Sequence, residues 1–193
     1  MRIFFKDLKT SPTDEKIKKM IKIDVIAIIL VYIFMSIFFY ISNTPLENLF
    51  LGQVCFNGEF IKLNVFTSKE ITKPFNVLYY TYAQVLDYLF MICYAIGLFG
   101  ITVMNSRKVK NKNEKKKSRL MQIGFTFAEF PIIAAFMDAF ENMFVFLMLM
   151  NITGFPDAYA IGQSIFAVIK WILLISVVII NLVILIKRKI KEK

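Results

Sequence analysis

Histidine is absent from this 193-residue chain. Its absence removes the commonest metal ligand and the commonest general base near neutral pH. Cysteine is scarce, with only Cys55 and Cys93. They do not form a Cys-x-x-Cys pair. One falls in an expected outer loop and the other inside an apolar run, so a disulfide between them is not expected. No nucleophile motif, internal repeat or small-x-small cleavage site is present. The first apolar run outlasts the roughly 7–15 residues of a signal-peptide core, so a cleaved leader is not expected. Neither a metal site nor a cofactor is expected from this residue set.

Apolar residues are plentiful. The chain is 58% hydrophobic and 16% aromatic, with 21 Phe and a mean hydropathy of +0.61. Soluble domains run at about 45–50% apolar. The excess is concentrated in four runs, over residues 21–42, 77–104, 130–150 and 159–186. Each exceeds the ~18 residues that mark a membrane-span candidate. A soluble four-helix bundle keeps a polar face on every helix. Here Phe, Ile, Leu and Met fill almost every face. The expected fold is an all-α membrane protein, an antiparallel bundle of four transmembrane helices in one integral membrane domain.

Charge placement gives an orientation. Of the 24 basic residues, seven lie in residues 1–22, eight in 105–119 and five in 187–193. Residues 43–76 hold three, balanced by Glu47, Glu59 and Glu70, and residues 151–158 hold none. This alternation is the positive-inside pattern, and it puts both termini and the basic 105–119 loop in the cytoplasm. The basic flanks then face anionic headgroups of a plasma membrane, at about 1 kcal/mol per residue near the surface. The net charge of +10 is therefore read as membrane-facing, with no nucleic-acid partner.

Local signals refine the boundaries. Thr13 or Ser11 can cap a helix whose first turn holds Asp14 and Glu15. Asp24 is read as an interfacial acid near Lys19 or Lys22. The outer segment 43–76 carries turn signals at Asn43-Thr44-Pro45 and Asn57-Gly58. It also has a partly alternating run from Phe60 to Phe66 and a capping-box pattern from Thr67 to Glu70. An ordered cap over the outer mouth is expected, since long structureless loops are uncommon. Residues 105–118 are expected to be solvated, with Leu120–Phe127 an interfacial lead-in. Pro131 suits the first turn of the third span, which places Glu129 at the inner interface.

The polar residues inside the spans carry the functional argument. Apart from Lys22 at the edge of the first run, Lys170 is the only basic residue within the four runs. A lysine at a membrane-helix centre costs about 2.5–3.5 kcal/mol on insertion scales, so it needs partners. Asp138, Glu141 and Asn142 share an arc of about 100° on the third span. Two carboxylates at this spacing cannot both hold charge cheaply in a low dielectric unless a cation intervenes. Tyr80, Gln84, Asp87 and Tyr94 fall within about 80° on the second span. Gln163, Lys170 and Asn181 fall within about 20° on the fourth. A rise of ~1.5 Å per residue puts Asp87, Glu141 and Lys170 at similar depth. Trp171 beside Lys170 can be packing or a cation–π wall of a ligand site. Tyr79, Tyr80 and Tyr82 read as an aromatic belt, with Tyr80 also on the polar stripe.

The Asp138-x-x-Glu141-Asn142 motif in the third span, with Lys170-Trp171 in the last, resembles a group of small four-span bacterial membrane proteins. That resemblance covers spans two to four and implies no established activity. The four-span size also resembles the emopamil-binding, sterol-isomerase-like group, but this chain lacks the histidine such chemistry would need. Three readings remain open. The first is a ligand or ion site formed by Asp87, Asp138, Glu141, Asn142, Lys170, Tyr80, Gln84, Gln163 and Trp171. It would bind or translocate a proton, small cation or amine-bearing ligand. The second is a non-enzymatic accessory, immunity or assembly subunit that contacts a membrane-protein partner or a second copy, its polar cluster purely structural. The third, an enzyme acting on a lipid with Asp138 and Glu141 as acid and base, lacks a nucleophile and a metal site.

Overall fold

The computed structural model describes residues 8, 11–42, 56–61, 74–109, 114–152 and 154–192. The Asn43-Thr44-Pro45 turn, Cys55, residues 62–66 of the alternating run and the Thr67–Glu70 pattern lie outside the described residues. Among the described residues there are five long helices: α1 (Asp14–Ile41), α2 (Pro74–Arg107), α3 (Glu114–Ala128), α4 (Phe130–Leu149) and α5 (Asp157–Glu192). A single helical turn spans Gly58–Phe60. The alternating run therefore begins as helix at Phe60 rather than as strand.

Thr13 starts α1 as the sequence implies. Its backbone is extended and its hydroxyl accepts from Lys16 N at 3.5 Å. Asp14 and Glu15 in the first turn complement the positive helix end. From there the helix runs without a break through the first apolar stretch. At the third span, Pro131 has no N–H to offer the carbonyl of Phe127, so the chain breaks at Glu129 between α3 and α4. Glu129 O then accepts from both Ile132 N at 3.1 Å and Ile133 N at 3.2 Å, and the helix resumes. The basic segment is shorter as a loop than expected. Asn105–Arg107 belong to α2 and Glu114–Arg119 to α3. Lys, Glu and Arg are good helix formers, so helix reaches into the segment from both sides.

Among the described residues four stretches are long and apolar enough to cross a membrane: Asp14–Ile41, Val77–Arg107, Arg119–Leu149 and Asp157–Ile190. The shortest has 28 residues, about 42 Å at 1.5 Å per residue. A bilayer's hydrocarbon core is about 30 Å. The side-chain pattern is the reverse of a soluble bundle. Ile26, Ile29, Phe34, Phe136, Ile172 and Ile179 face outward, while Asp138, Glu141, Asn142, Gln163 and Lys170 are buried. Lipid favours the first set on the surface, and the second avoids it.

α1 packs chiefly on α2, and α4 on α5; α2 also packs on α4. Close approach depends on two glycines. A Cβ on Gly97 would strike the Asp24 carboxylate, and one on Gly162 would lie 2.6 Å from the Phe144 ring. Two apolar clusters sit toward opposite ends of the helices. One includes Ile61, Tyr80, Val145 and Phe155; the other includes Ile17, Val103, Phe125 and Ala128. The polar residues of α2, α4 and α5 lie between them.

Candidate functional site

Lys170 reaches from α5 to two acids one turn apart on α4. Its Nζ donates to Asp138 Oδ1 at 2.8 Å and lies 2.5 Å from Glu141 Oε2. The second contact is an ion pair by distance but is not angled as a hydrogen bond, since Oε2 has no hydrogen-bond partner. The three side chains are only 3–6% exposed. The i, i+3 spacing of the acids is what lets one ammonium meet both.

α2 supplies the other side of the cluster. Tyr94 donates its hydroxyl to Asp138 Oδ2 at 2.9 Å. Asp87 accepts from Asn142 Nδ2 at 2.6 Å. The sequence left Lys170 a choice of Asp138 or Asp87 as partner. Among the described residues its ion pairs are Asp138 and Glu141, and Asp87 is held by an amide instead. Asp87 therefore joins the cluster through Asn142, one position along α4 from Glu141. Among the described residues no group of three or more His, Cys, Asp or Glu side chains forms a metal-binding set.

Tyr80, Gln84 and Gln163 are all buried. They continue the polar stripes of α2 and α5 toward the Phe155 end. Gln84 Oε1 and Gln163 Oε1 have no hydrogen-bond partner. Next to Gln163, Ser164 Oγ accepts from Phe56 N at 3.1 Å. Phe56 has a φ of 52°, a left-handed conformation costly for a bulky residue, and this bond holds the turn against α5. Ile61 follows it into the apolar cluster with Tyr80 and Phe155. Residues 56–61 thus sit against α5 and the Phe155 end of the polar stripe; the remainder of the expected cap up to residue 73 lies outside the described residues.

Trp171 sits differently from a buried ligand wall. It is 38% exposed, with its ring centroid 5.6 Å from Lys170 Nζ. The next position along a helix turns by about 100°, which carries Trp171 off the buried stripe. Its ring can still act on the lysine from the side. Tyr79 and Tyr82 pack on Phe38 of α1, while Tyr80 turns inward against Phe39. The belt reading therefore divides, with Tyr80 on the inner stripe.

Two polar features were not predicted as they stand. Asp24 is not at a wet interface beside Lys19 or Lys22. It is 6% exposed and lies on Gly97 of α2, with Oδ2 lacking a hydrogen-bond partner. The signal was available, since a glycine in a span marks a place where something can approach closely. A second polar layer joins α2 to α5 nearer Arg107. Asn181 Nδ2 donates to Thr102 Oγ1 at 2.8 Å, and Asn105 Nδ2 donates to Asn181 Oδ1 at 2.8 Å. Asn181 stood out in the sequence; Thr102 and Asn105 had no charge to draw attention to them. At the end of α2, Arg107 ties down the N-terminal segment through Leu8 O, Pro12 O and Asp14. On the flank of α2 and α4 lies an apolar groove of about 390 Å³, lined by Tyr88, Ala95, Ala135 and Ala139 among others. It contains none of the acids.

No protein family, curated protein or solved structure matches this chain. The functional reading therefore rests on the geometry of the buried cluster.

Proposed function

We propose that the chain is a multi-pass membrane protein that binds or translocates a proton, small cation or small amine-bearing ligand at the Asp87/Asp138/Glu141/Lys170 cluster. In this reading the four spans form an antiparallel bundle in the plasma membrane, with both termini in the cytoplasm and the basic segments on anionic headgroups. The observation that carries it is charge balance. Three carboxyl groups share the buried cluster with one ammonium. Uncompensated charge is expensive away from water, so a neutral cluster holds two carboxyl protons or one proton and one bound monocation. Exchanging these is the chemistry of a relay or an exchanger. Tyr94 orients Asp138 within the ion pair, and Asn142 orients Asp87 beside it. The test is proton flux in vesicles reconstituted with the full chain. Glu141→Gln keeps size and hydrogen bonding but removes one exchangeable charge. It is expected to change flux while helical content and detergent extraction stay the same. Equal flux in wild-type, variant and protein-free vesicles would contradict the proposal.

One observation favours a second reading. α1 packs chiefly on α2, leaving Ile26, Ile29, Ile33 and Phe34 exposed along its length. That face suits a second copy or a membrane-protein partner as well as lipid, which fits an accessory or assembly subunit. Gentle extraction that yields only monomer would count against it.

A further inference from the structure

Helix contacts fix the depth of residues that never touch in the polar stripe. On α5 and α4, Lys170 is level with Asp138 and Glu141. One turn along α5, Phe166 stacks on Phe140 and Phe144, and two turns along, Gly162 meets the Phe144 ring. Gln163 is therefore level with the stretch from Glu141 to Val145. On α2 and α4, Tyr94 is level with Asp138, Asp87 with Asn142, and Tyr88 stacks on Phe146. Gln84, one turn beyond Asp87, is level with Val145 and Phe146. Gln84 and Gln163 thus occupy one layer, on the polar stripes of two helices, one turn from Glu141.

That layer is rich in acceptors. Gln84 is 6% exposed, Gln163 5% and Glu141 2%. Gln84 Oε1 and Gln163 Oε1 lack a hydrogen-bond donor, and Glu141 Oε2 meets only the Lys170 ammonium. Buried acceptors are almost always satisfied in native proteins. Glu141 Oε2 already receives the Lys170 ammonium as an ion pair, which leaves a lone pair free for a donor from the glutamine side. The walls of the layer are small or apolar: Ala83, Val145 and Ala160 are buried in one cluster with Tyr80.

We infer that Gln84 Oε1, Gln163 Oε1 and Glu141 form a binding site for a small primary ammonium, such as ammonium itself or a short alkylammonium. This rests on the reading of the cluster as a working site and names its ligand. A primary alkylammonium brings three N–H donors to three oxygens, and ammonium itself brings four. It also brings the positive charge that the acid surplus calls for, which a water molecule does not. Lys170 shows that Glu141 accepts an ammonium in this place. Ala83 and Ala160 put only methyl groups into this layer, which suits a small ligand.

The test uses the full chain in lipid nanodiscs, with methylammonium chloride compared with NaCl, KCl and choline chloride at equal ionic strength. Methylammonium is expected to raise the thermal midpoint in a saturable way, and the other salts are not. Gln163→Leu deletes an unsatisfied buried acceptor, so the unliganded midpoint should hold or rise, while Gln84→Leu also removes the amide that bonds Tyr80. Each should weaken methylammonium binding by about tenfold or more, the loss of one hydrogen bond to a charged group. If a leucine variant fails to fold, radiolabelled methylammonium on the wild-type protein, displaced by ammonium chloride but not by KCl, supports the site independently. A well-folded wild-type protein with no saturable response overturns it. So does an equal response to Na⁺ or K⁺, or unchanged binding in Gln163→Leu. If Glu141→Gln alters proton flux but methylammonium has no effect, the ammonium site falls and the carboxylate–lysine reading stands. If neither responds, both fall.

Discussion

Replacing Lys170 by methionine keeps an unbranched apolar stem and deletes only the charge. The ammonium sits 2.8 Å from Asp138 Oδ1 and 2.5 Å from Glu141 Oε2, with every partner nearly sealed. Removing one member of a buried ion pair costs about 3–5 kcal/mol, because the remaining charge is left uncompensated. Hydrogen bonds inside membrane proteins average only about 0.6 kcal/mol in double-mutant cycles. The charge, and not the number of hydrogen bonds, therefore sets the size of the effect. One further result follows from the same logic. The Lys170→Met, Asp138→Asn, Glu141→Gln triple variant removes both carboxylates that the lysine meets, leaves Asp87 on its Asn142 amide, and should recover most of the lost stability. A reversible unfolding titration in mixed micelles, run on the wild type, the single and the triple variant, reads both. A single-variant loss under about 1 kcal/mol, the scale of a solvated ion pair, would refute the argument. A triple variant no more stable than the single one would refute it too.

Other predictions address different parts of the molecule. Gly97→Leu puts a side chain where the Asp24 carboxylate lies. It should loosen α1 from α2 and cost about 1–3 kcal/mol, the usual range for overpacking, read from the same titration; an unchanged midpoint would mean Asp24 does not hold that interface. Asn181→Leu removes the links to Thr102 and Asn105 and should cost about 0.6–2 kcal/mol. Ser164→Ala releases the Phe56 N–H and should speed thiol labelling of a cysteine placed at Asn57, with little change in global stability; equal labelling would show that this bond does not hold the cap. Asn142→Leu strips Asp87 of its amide donor and should alter proton flux more than it alters extraction yield.

Different parts of the structure were legible in the sequence to different degrees, for identifiable physical reasons. The spans were readable because length and apolarity are one-dimensional properties. The 100° periodicity also placed Asp138 and Glu141 on one stripe of the third span and Lys170 on the stripe of the fourth, and a rise of ~1.5 Å per residue put Asp87, Glu141 and Lys170 at similar depth. What periodicity could not settle was which acid Lys170 would choose, since that depends on how α2 and α4 slide past each other. The structure gives Asp87 to Asn142 and both α4 acids to the lysine. Asp24 was misplaced because its neighbours Lys19 and Lys22 suggested water, whereas its burial comes from Gly97, far away in the chain. Thr102 and Asn105 were missed because uncharged polar residues near a span's end look the same whether they face lipid headgroups or a neighbouring helix. Trp171 was included for its proximity in sequence to Lys170, yet one step along a helix moves a side chain off the buried face.

The central claim is that the carboxyl groups around Lys170 carry exchangeable protons and are reached from outside the folded protein. Infrared difference spectroscopy of the full chain in nanodiscs, transferred from H₂O to D₂O, reads the protonated carboxyl bands directly. The account predicts bands that shift on transfer while the amide bands of the spans remain unexchanged, with Asp87→Asn or Glu141→Gln each deleting intensity. Carboxyl bands that shift only when the helices themselves unfold, or no protonated carboxyl bands at all, would contradict it.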